Sequence, residues 1–462
     1  MTAVPSTGIA PSTLAGQLAE FGASLTLEQV PAAVLAHAKM LTLDTLGAAL
    51  AGVPTAEGQA AIRAVRTLAA PDGPSTLWGT ALRTTRAGGA LVNGITAHAQ
   101  EVDDFGGCDH SGAVVLPAVL AACEGRGVPG ARVLEAIIVG YDVALRVMEA
   151  AGGYRAHNGR GWHSTGTCGS FGAAAAVAKV LNLDARQTTW ALGIAGSFTG
   201  GTWAFLADGA MSKRYHPGRA AETGVVAGVL ASEGFTGPSQ VFEAEWGGFL
   251  NTYARGDAQP ERLTHALGTE FKIMRSGVKP YACCRGAHST LDAVLDLRRR
   301  HSVTPDRVAG VAIRCTAADM QMLGDRTPET RLAAQMSLPY SVAVALITGR
   351  ALLDEYGDTW LTDRATRALM AKVDMRLDAT LPEGTEPNIT IATTDGQAYA
   401  GHVDVGRGAP ENPLPASEVI AKYRDLAARA LPPASVRAVE AITLSLDENP
   451  SVDRLLEALR AP

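Results

Sequence analysis

The sequence predicts a mainly α protein: a large all-α helical domain built from both chain ends (1–269 and 409–462) plus a smaller inserted α+β domain (270–408). Three observations predict it. Gly (50 residues) and Ala abound while aromatics make up only 5%, and small side chains let helices approach closely. Apolar residues recur at helical spacing through the first half of the chain. Near residue 270 the pattern changes toward strands, including a pair that alternates around Asp395-Gly396, the strongest short hairpin signal. At 462 residues the chain is too long for one ordinary core, which makes two domains the default.

Taken in order, Pro31–Leu50 has apolar residues at helical spacing, Pro31 suits its first turn, and Gly52 and Pro54 end it. Arg86–Ala99 reads as a helix that delivers His98 and Glu101 near its C-terminal end. Pro117–Glu124 follows, again with Pro in a first turn. Val133–Met148, Phe171–Leu181, Ala220–Ser232 and Ser239–Glu243 are further expected helices. In the smaller domain Val308–Cys315, Asn388–Thr393 and Ala398–Val405 read as strands, with Arg331–Leu346 and Asp363–Lys372 as helices. Gly406–Pro415 reads as a linker, after which the helices Glu418–Ala430 and Ser451–Leu459 return to the first domain.

Composition narrows the function. Hydrophobic residues at 47% and charged residues at 19% describe a globular chain. A net charge of −6 gives no basic field, so no nucleic-acid partner is expected. The N-terminus carries no basic, apolar signal peptide, and Ala113–Ala122 and Ile137–Val143 are too short or interrupted to span a bilayer, so no membrane partner is expected. The six cysteines form no CxxC pair, which leaves neither a disulfide framework nor a zinc knuckle and fits a reduced, cytoplasmic chain. No repeat of twenty to fifty residues is evident.

The chemistry lies in four polar islands: His98–Ser111, Gly161–Gly172, Lys213–Ala220 and Lys279–His288. Each sets imidazole, carboxylate or ammonium groups beside glycines or hydroxyls, at or before a helical run. Five of the ten histidines fall in them: His98, His110, His163, His216 and His288. His98 and Glu101 share a helical face at i, i+3, but no HExxH or similar pattern supports a metal. The glycines of GTCGSFG match neither the dinucleotide nor the P-loop fingerprint and read as helix packing. Cys283 and Cys284 lack an activating pattern and read as pocket lining. Lys213 opens an Ala-rich helix, where free N–H groups and the helix dipole already favour an anion, so the lysine makes a carboxylate site. Together the islands suggest an enzyme performing acid–base chemistry on a small anionic substrate.

NGITAHAQEVDDF (Asn93–Phe105), HSGAVVLPA (His110–Ala118), GWHSTGTCGSFGAAAAVAKVLNLD (Gly161–Asp184), SKRYHPGRAAETGVVAGVLASEGFTGP (Ser212–Pro238) and KPYACCRGAHSTLDA (Lys279–Ala293) occur in the order and spacing of the MmgE/PrpD family. Any one motif is soft; the ordered set is specific, and the chain resembles that family along essentially its whole length. The resemblance implies the two-domain fold described above, a homodimer, and catalysis without metal or organic cofactor. It implies acid–base roles for His110 and His163 and carboxylate binding by Lys213 and Lys279. Glu101 falls on the first acidic residue of the family's HxxDFDD stretch, where Asp is usual, and Asp103 and Asp104 match the later two. Phe105 replaces the usual Thr or Ser. A tyrosine that some relatives place before an Arg-Pro turn is absent; the local sequence is Met322-Leu323-Gly324-Asp325-Arg326. The expected catalytic set is therefore His110, His163, Glu101 and Lys213, with Lys279, Phe105, Asp104, His216, Cys284 and His288 around the substrate.

The implied chemistry is proton movement next to a carboxylate of a small di- or tricarboxylic acid. Lysines stabilise the resulting negative charge best where water is excluded, and a histidine near its reference pKa of about 6.5 shuttles protons at neutral pH. A dehydratase-type lyase is the first expectation. Epimerisation and decarboxylation use the same constellation, and a non-catalytic binding homologue is the remaining reading.

Overall fold

The computed structural model describes residues 13–382 and 384–461. The stretch read as lacking a signal peptide lies partly outside these, in residues 1–12. Helix accounts for 58% of the described residues and strand for 7%, so the protein is mainly α. One large hydrophobic cluster joins residues from Ala15 to Val278 with residues from Val419 to Leu459. The helix Ala416–Ala427 closes this arrangement by lying on Ala32–Gly52, where a methyl group on Gly47 would meet the Tyr423 backbone at 3.2 Å.

Small residues set the helix spacing around the site. Ser212–Ser232 crosses Arg86–His98 at paired glycines: a methyl group on Gly94 would lie 2.7 Å from the Gly218 Cα. No larger side chain fits there, and the close crossing brings the end of one helix beside the start of the other. Ala32–Gly52 is, among the described residues, the one helix long and apolar enough to cross a membrane; about two thirds of its apolar window is buried inside the protein.

The second cluster is built on a four-stranded sheet ordered Val373–Leu377, Val308–Cys315, Asn388–Thr393, Ala398–Gly401. The first pair is parallel and the others antiparallel, with Ile313 facing Met375 on one side and Ile389 on the other. Val311, Ile313, Ile389 and Ile391 bury one sheet face against Leu291, Val294 and Leu297 of His288–Arg300. Ala48, Ala51, Val102 and Leu426 join this cluster from the helical part, so the two bodies meet beside Glu101.

Several boundaries differ from expectation. The helix expected at Pro117 begins at Ser111 and carries Pro117 inside it. Its start is set by Asp104, whose carboxylate accepts the Gly112 N–H at 3.0 Å. Ser212–Ser232 likewise starts before Ala220 and contains Pro217. Ser239–Glu243 forms turns rather than a helix, since so short a segment gains too few internal hydrogen bonds to outweigh helix nucleation. Arg331–Leu346 is two helices, Arg331–Gln335 and Leu338–Thr348, separated where Ser337 caps the second and Pro339 enters its first turn. Ala398–Val405 is a strand only to Gly401.

Candidate active site

A cavity of about 440 Å³ lies where the two bodies meet. Backbone pairing explains how residues far apart in sequence reach it. Phe105 donates its N–H to the Gly277 carbonyl at 3.0 Å and accepts the Gly277 N–H at 2.7 Å. This two-way bridge clamps the loop after His98 to the segment that carries Lys279. Gly106, at φ +97°, completes the bend; a methyl group there would strike the Arg275 carbonyl at 2.1 Å.

Glu101 is the centre of charge. Its backbone is left-handed at φ +55° and its side chain is buried. Its carboxylate takes hydrogen bonds from Lys213 Nζ and Arg214 Nη1, both in the first turn of Ser212–Ser232, and from Lys279 Nζ at 2.8 Å. The helix start therefore receives an anion, as its dipole favours, and that anion belongs to the protein itself. Burial opposes the charge of Glu101, but Lys213, Lys279 and Arg214 outweigh it and hold the carboxyl well below the usual range. Burial lowers the Lys213 pKa against the pull of Glu101. At Lys279, Glu101 and Asp103 overcome burial and raise it. Three buried cations share one buried carboxylate, which leaves the cluster attractive to a further anion. Lys213 and Lys279 both line the cavity.

The histidines form a hydrogen-bonded chain beside this cluster. His110 Nδ1 lies 3.1 Å from Asp103 and 3.0 Å from the Asp104 carbonyl, two acceptors that require a proton on that nitrogen. His98 Nδ1 holds the same Asp103 oxygen at 2.9 Å. Burial disfavours charge on His110, but Asp109 and Asp103 more than compensate, and its pKa is raised. Burial dominates at His163, with Asp109 partly opposing, and lowers its pKa. His163 Nδ1 is 2.9 Å from His216 Nδ1; burial, with His163 next, pushes His216 down to about 3.

Of the expected residues, Glu101, Phe105, His110, Lys213, Lys279 and Cys284 line the cavity together. His163 stands one layer back and is linked to it through Asp109. His216 lies behind His163 and faces a separate smaller cleft. His288 is fully buried behind Phe105, the two rings 6.1 Å apart and edge to face. Asp104 is spent on the helix start at Gly112, and burial, then Asp103, pushes its pKa up to about 7. These last three positions bring no side chain to the cavity wall. Cys284 Sγ rests 3.6 Å from Met322 Sδ, and burial, then Glu101, raises its thiol pKa, so it is a lining residue and a poor nucleophile.

Sequence reasoning passed over Asp109, Arg214 and Arg285, although all three stand inside the quoted islands. It had no signal for Tyr154, Trp203 or Asp319, which reach the cavity only through the fold. Two trios, His98–Asp103–His110 and Asp109–His110–His163, hold their ligand-type atoms within 4.8 Å of one another. Their ring nitrogens already face carboxylates, a carbonyl or another ring, the pattern of a proton-bearing chain.

Residues 16–261 match the MmgE/PrpD N-terminal domain and residues 281–448 the MmgE/PrpD C-terminal domain. A cis-aconitate decarboxylase-like protein of Aspergillus oryzae is 30% identical over 95% of this chain and 96% of its own length. A cis-aconitate decarboxylase of Aspergillus terreus is 28% identical over 98% of this chain and 97% of its own. The human cis-aconitate decarboxylase is 25% identical over 93% of this chain and 91% of its own.

Proposed function

From the premise that this chain belongs to the MmgE/PrpD family, we propose that it is a lyase that cleaves a small polycarboxylic acid using its own histidines and lysines. Decarboxylation takes precedence over the dehydration expected first from sequence, because the relatives are named as decarboxylases. The observation that carries the reading is one cavity lined by His110, Lys213 and Lys279 together.

Each group then has a task. Lys213 and Lys279 each give one hydrogen bond to Glu101, and an ammonium has three donors, so both retain protons for a substrate carboxylate. Breaking the bond to the departing carboxyl releases CO2 and leaves its electron pair on the remaining acid, delocalised toward a neighbouring carboxylate. The two lysines, themselves buried, stabilise that charge. His110, whose protonated form Asp109 and Asp103 favour, donates a proton to carbon; its N–H bond breaks as the C–H bond forms, and solvent restores the proton.

Phe105 limits the substrate. Its ring is 7% exposed, lines the cavity, and carries the Arg285 guanidinium 5.4 Å from its centre. It fills volume and offers no hydrogen bond where the family resemblance implies a Thr or Ser hydroxyl, so an acid smaller or less oxygenated than 2-methylcitrate or cis-aconitate fits better. The test is an NMR screen of small polycarboxylic acids in D2O. Loss of CO2 with one deuterium placed on carbon is expected. Alkene formation without CO2 loss would establish dehydration instead. No change in any acid would refute the lyase reading.

A further inference from the structure

We propose that Asp109 is the positioning residue of the acid–base pair: its carboxylate stands between His110 and His163 at the cavity wall and fixes where both rings present Nε2. The proposal rests on the proton-transfer reading above. Asp109 Oδ1 is 3.6 Å from His110 Nε2, and Oδ2 is 3.3 Å from His163 Nε2. The far nitrogens are held separately, that of His110 by Asp103 and the Asp104 carbonyl, that of His163 by His216. Each ring is thus pinned at Nδ1 and turned so that only Nε2 remains for chemistry. Among the described residues, Asp109 is the one group that both Nε2 atoms share. Thr165 Oγ1 is a second neighbour of His163 Nε2, at 3.3 Å.

The backbone adds an independent observation. Asp109 sits at φ +97°, in the region that favours glycine. Gly106 and Gly107 precede it, so this loop uses glycine freely. Asp and Asn are the side chains that tolerate this region best, and of the two only Asp brings the carboxylate that stands at both Nε2 atoms. The remaining charges around the trio are Lys213 and Lys279 on the cavity side and Asp103, Asp104 and His98 behind His110. None of them reaches both Nε2 atoms. In the proposed reaction Asp109 takes no proton. It aligns the His110 N–H that is transferred and the His163 ring beside it.

The left-handed backbone makes the test clean, because Asn and Gly both accept positive φ. Asp109→Asn and Asp109→Gly should fold with melting temperatures close to wild type. In ¹⁵N spectra of histidine-labelled protein, the Nε2 signals of both His110 and His163 should move in both variants. On the acid found in the D2O screen, kcat should fall about 10²-fold with KM little changed. Added formate should restore part of kcat in Asp109→Gly but not in Asp109→Asn, where the amide fills the space. An unmoved Nε2 signal on either ring, wild-type kcat in either variant, or absence of formate rescue would overturn the proposal. So would a divalent ion that raises wild-type activity and broadens both Nε2 signals, since the trio would then be holding a metal. If wild type turns over no acid at all, the lyase reading fails by itself, and the nitrogen spectra still decide whether Asp109 holds both rings.

Discussion

Replacing Glu101 by Gln removes the carboxylate that accepts a hydrogen bond from each of three buried cations. Lys213, Arg214 and Lys279 are each no more than 2% exposed, so water cannot take over its role. Breaking a buried ion pair by deleting one partner costs about 3–5 kcal/mol, because a charge is left uncompensated. An unfolding entropy of roughly 2.1 cal/mol/K per residue gives about 1 kcal/mol/K for a chain of 462 residues unfolding as one unit. The loss therefore lowers Tm by about 3–5 °C. The vacated anion position should then accept a carboxylate from solution. A small dicarboxylate such as malonate at a hundred times its Kd would return about 2.7 kcal/mol, and with it most of the lost Tm. Differential scanning fluorimetry of wild type and Glu101→Gln, with and without malonate at constant ionic strength, measures both effects. A variant that melts with wild type, or one that malonate stabilises no more than wild type, would show that Glu101 does not neutralise this cluster.

Lys213→Ala and Lys279→Ala should each lower turnover by about 10²–10³ while the fold survives, and near-wild-type kinetics for both would remove them from the mechanism. Stability should fall as pH drops from 7 to 5. Burial holds His98, His163 and His288 below their ordinary value, and it takes His157 to about 4 and His216 to about 3. Below about pH 6.5 the unfolded chain binds protons that these folded histidines refuse, so each costs up to about 1.4 kcal/mol per pH unit, while His110 and the carboxyls whose pKa burial raises, Asp44, Asp104, Glu124 and Asp142, act in the opposite sense without outweighing them. A melting temperature that is flat or rises on acidification over that range would contradict this. Phe105→Thr should shift preference toward tricarboxylates by roughly 1–3 kcal/mol in kcat/KM terms, and efficient wild-type turnover of cis-aconitate would count against the argument.

Legibility followed the source of each element's stability. Val308–Cys315 and Asn388–Thr393 were readable because one buried face imposes alternation on the sequence. Val373–Leu377 was not: only Val373 and Met375 are buried, and its last two residues face solvent, so it carries almost no pattern. Pro117 misled because a proline early in a helix is the local rule, whereas this helix starts where Asp104, eight residues before Gly112, supplies the cap. The polar islands were visible as composition. Which members face the cavity was not, since that depends on a backbone bridge between Phe105 and Gly277 that leaves no trace in residue type. Asp109 stayed hidden because its significance is a backbone angle and two distances, neither of which a residue letter records.

That bridge also separates two properties that a substitution would otherwise couple. It uses only the N–H and C=O of residue 105, so it forms with a hydroxyl residue as well as with phenylalanine. The loop, the Gly277 segment and Lys279 beyond it therefore keep their places whichever side chain stands there. The side chain itself meets His288, Arg285 and the cavity, and changes the size and polarity of the wall alone. Position 101 has no such freedom. Its carboxylate must reach two lysines and an arginine at once from a left-handed backbone, and the extra methylene of Glu over Asp alters that reach directly. In this loop, then, a change at residue 105 alters the cavity wall and leaves the backbone that places Lys279 intact, and residue 101 is where any change is felt by the charge cluster first.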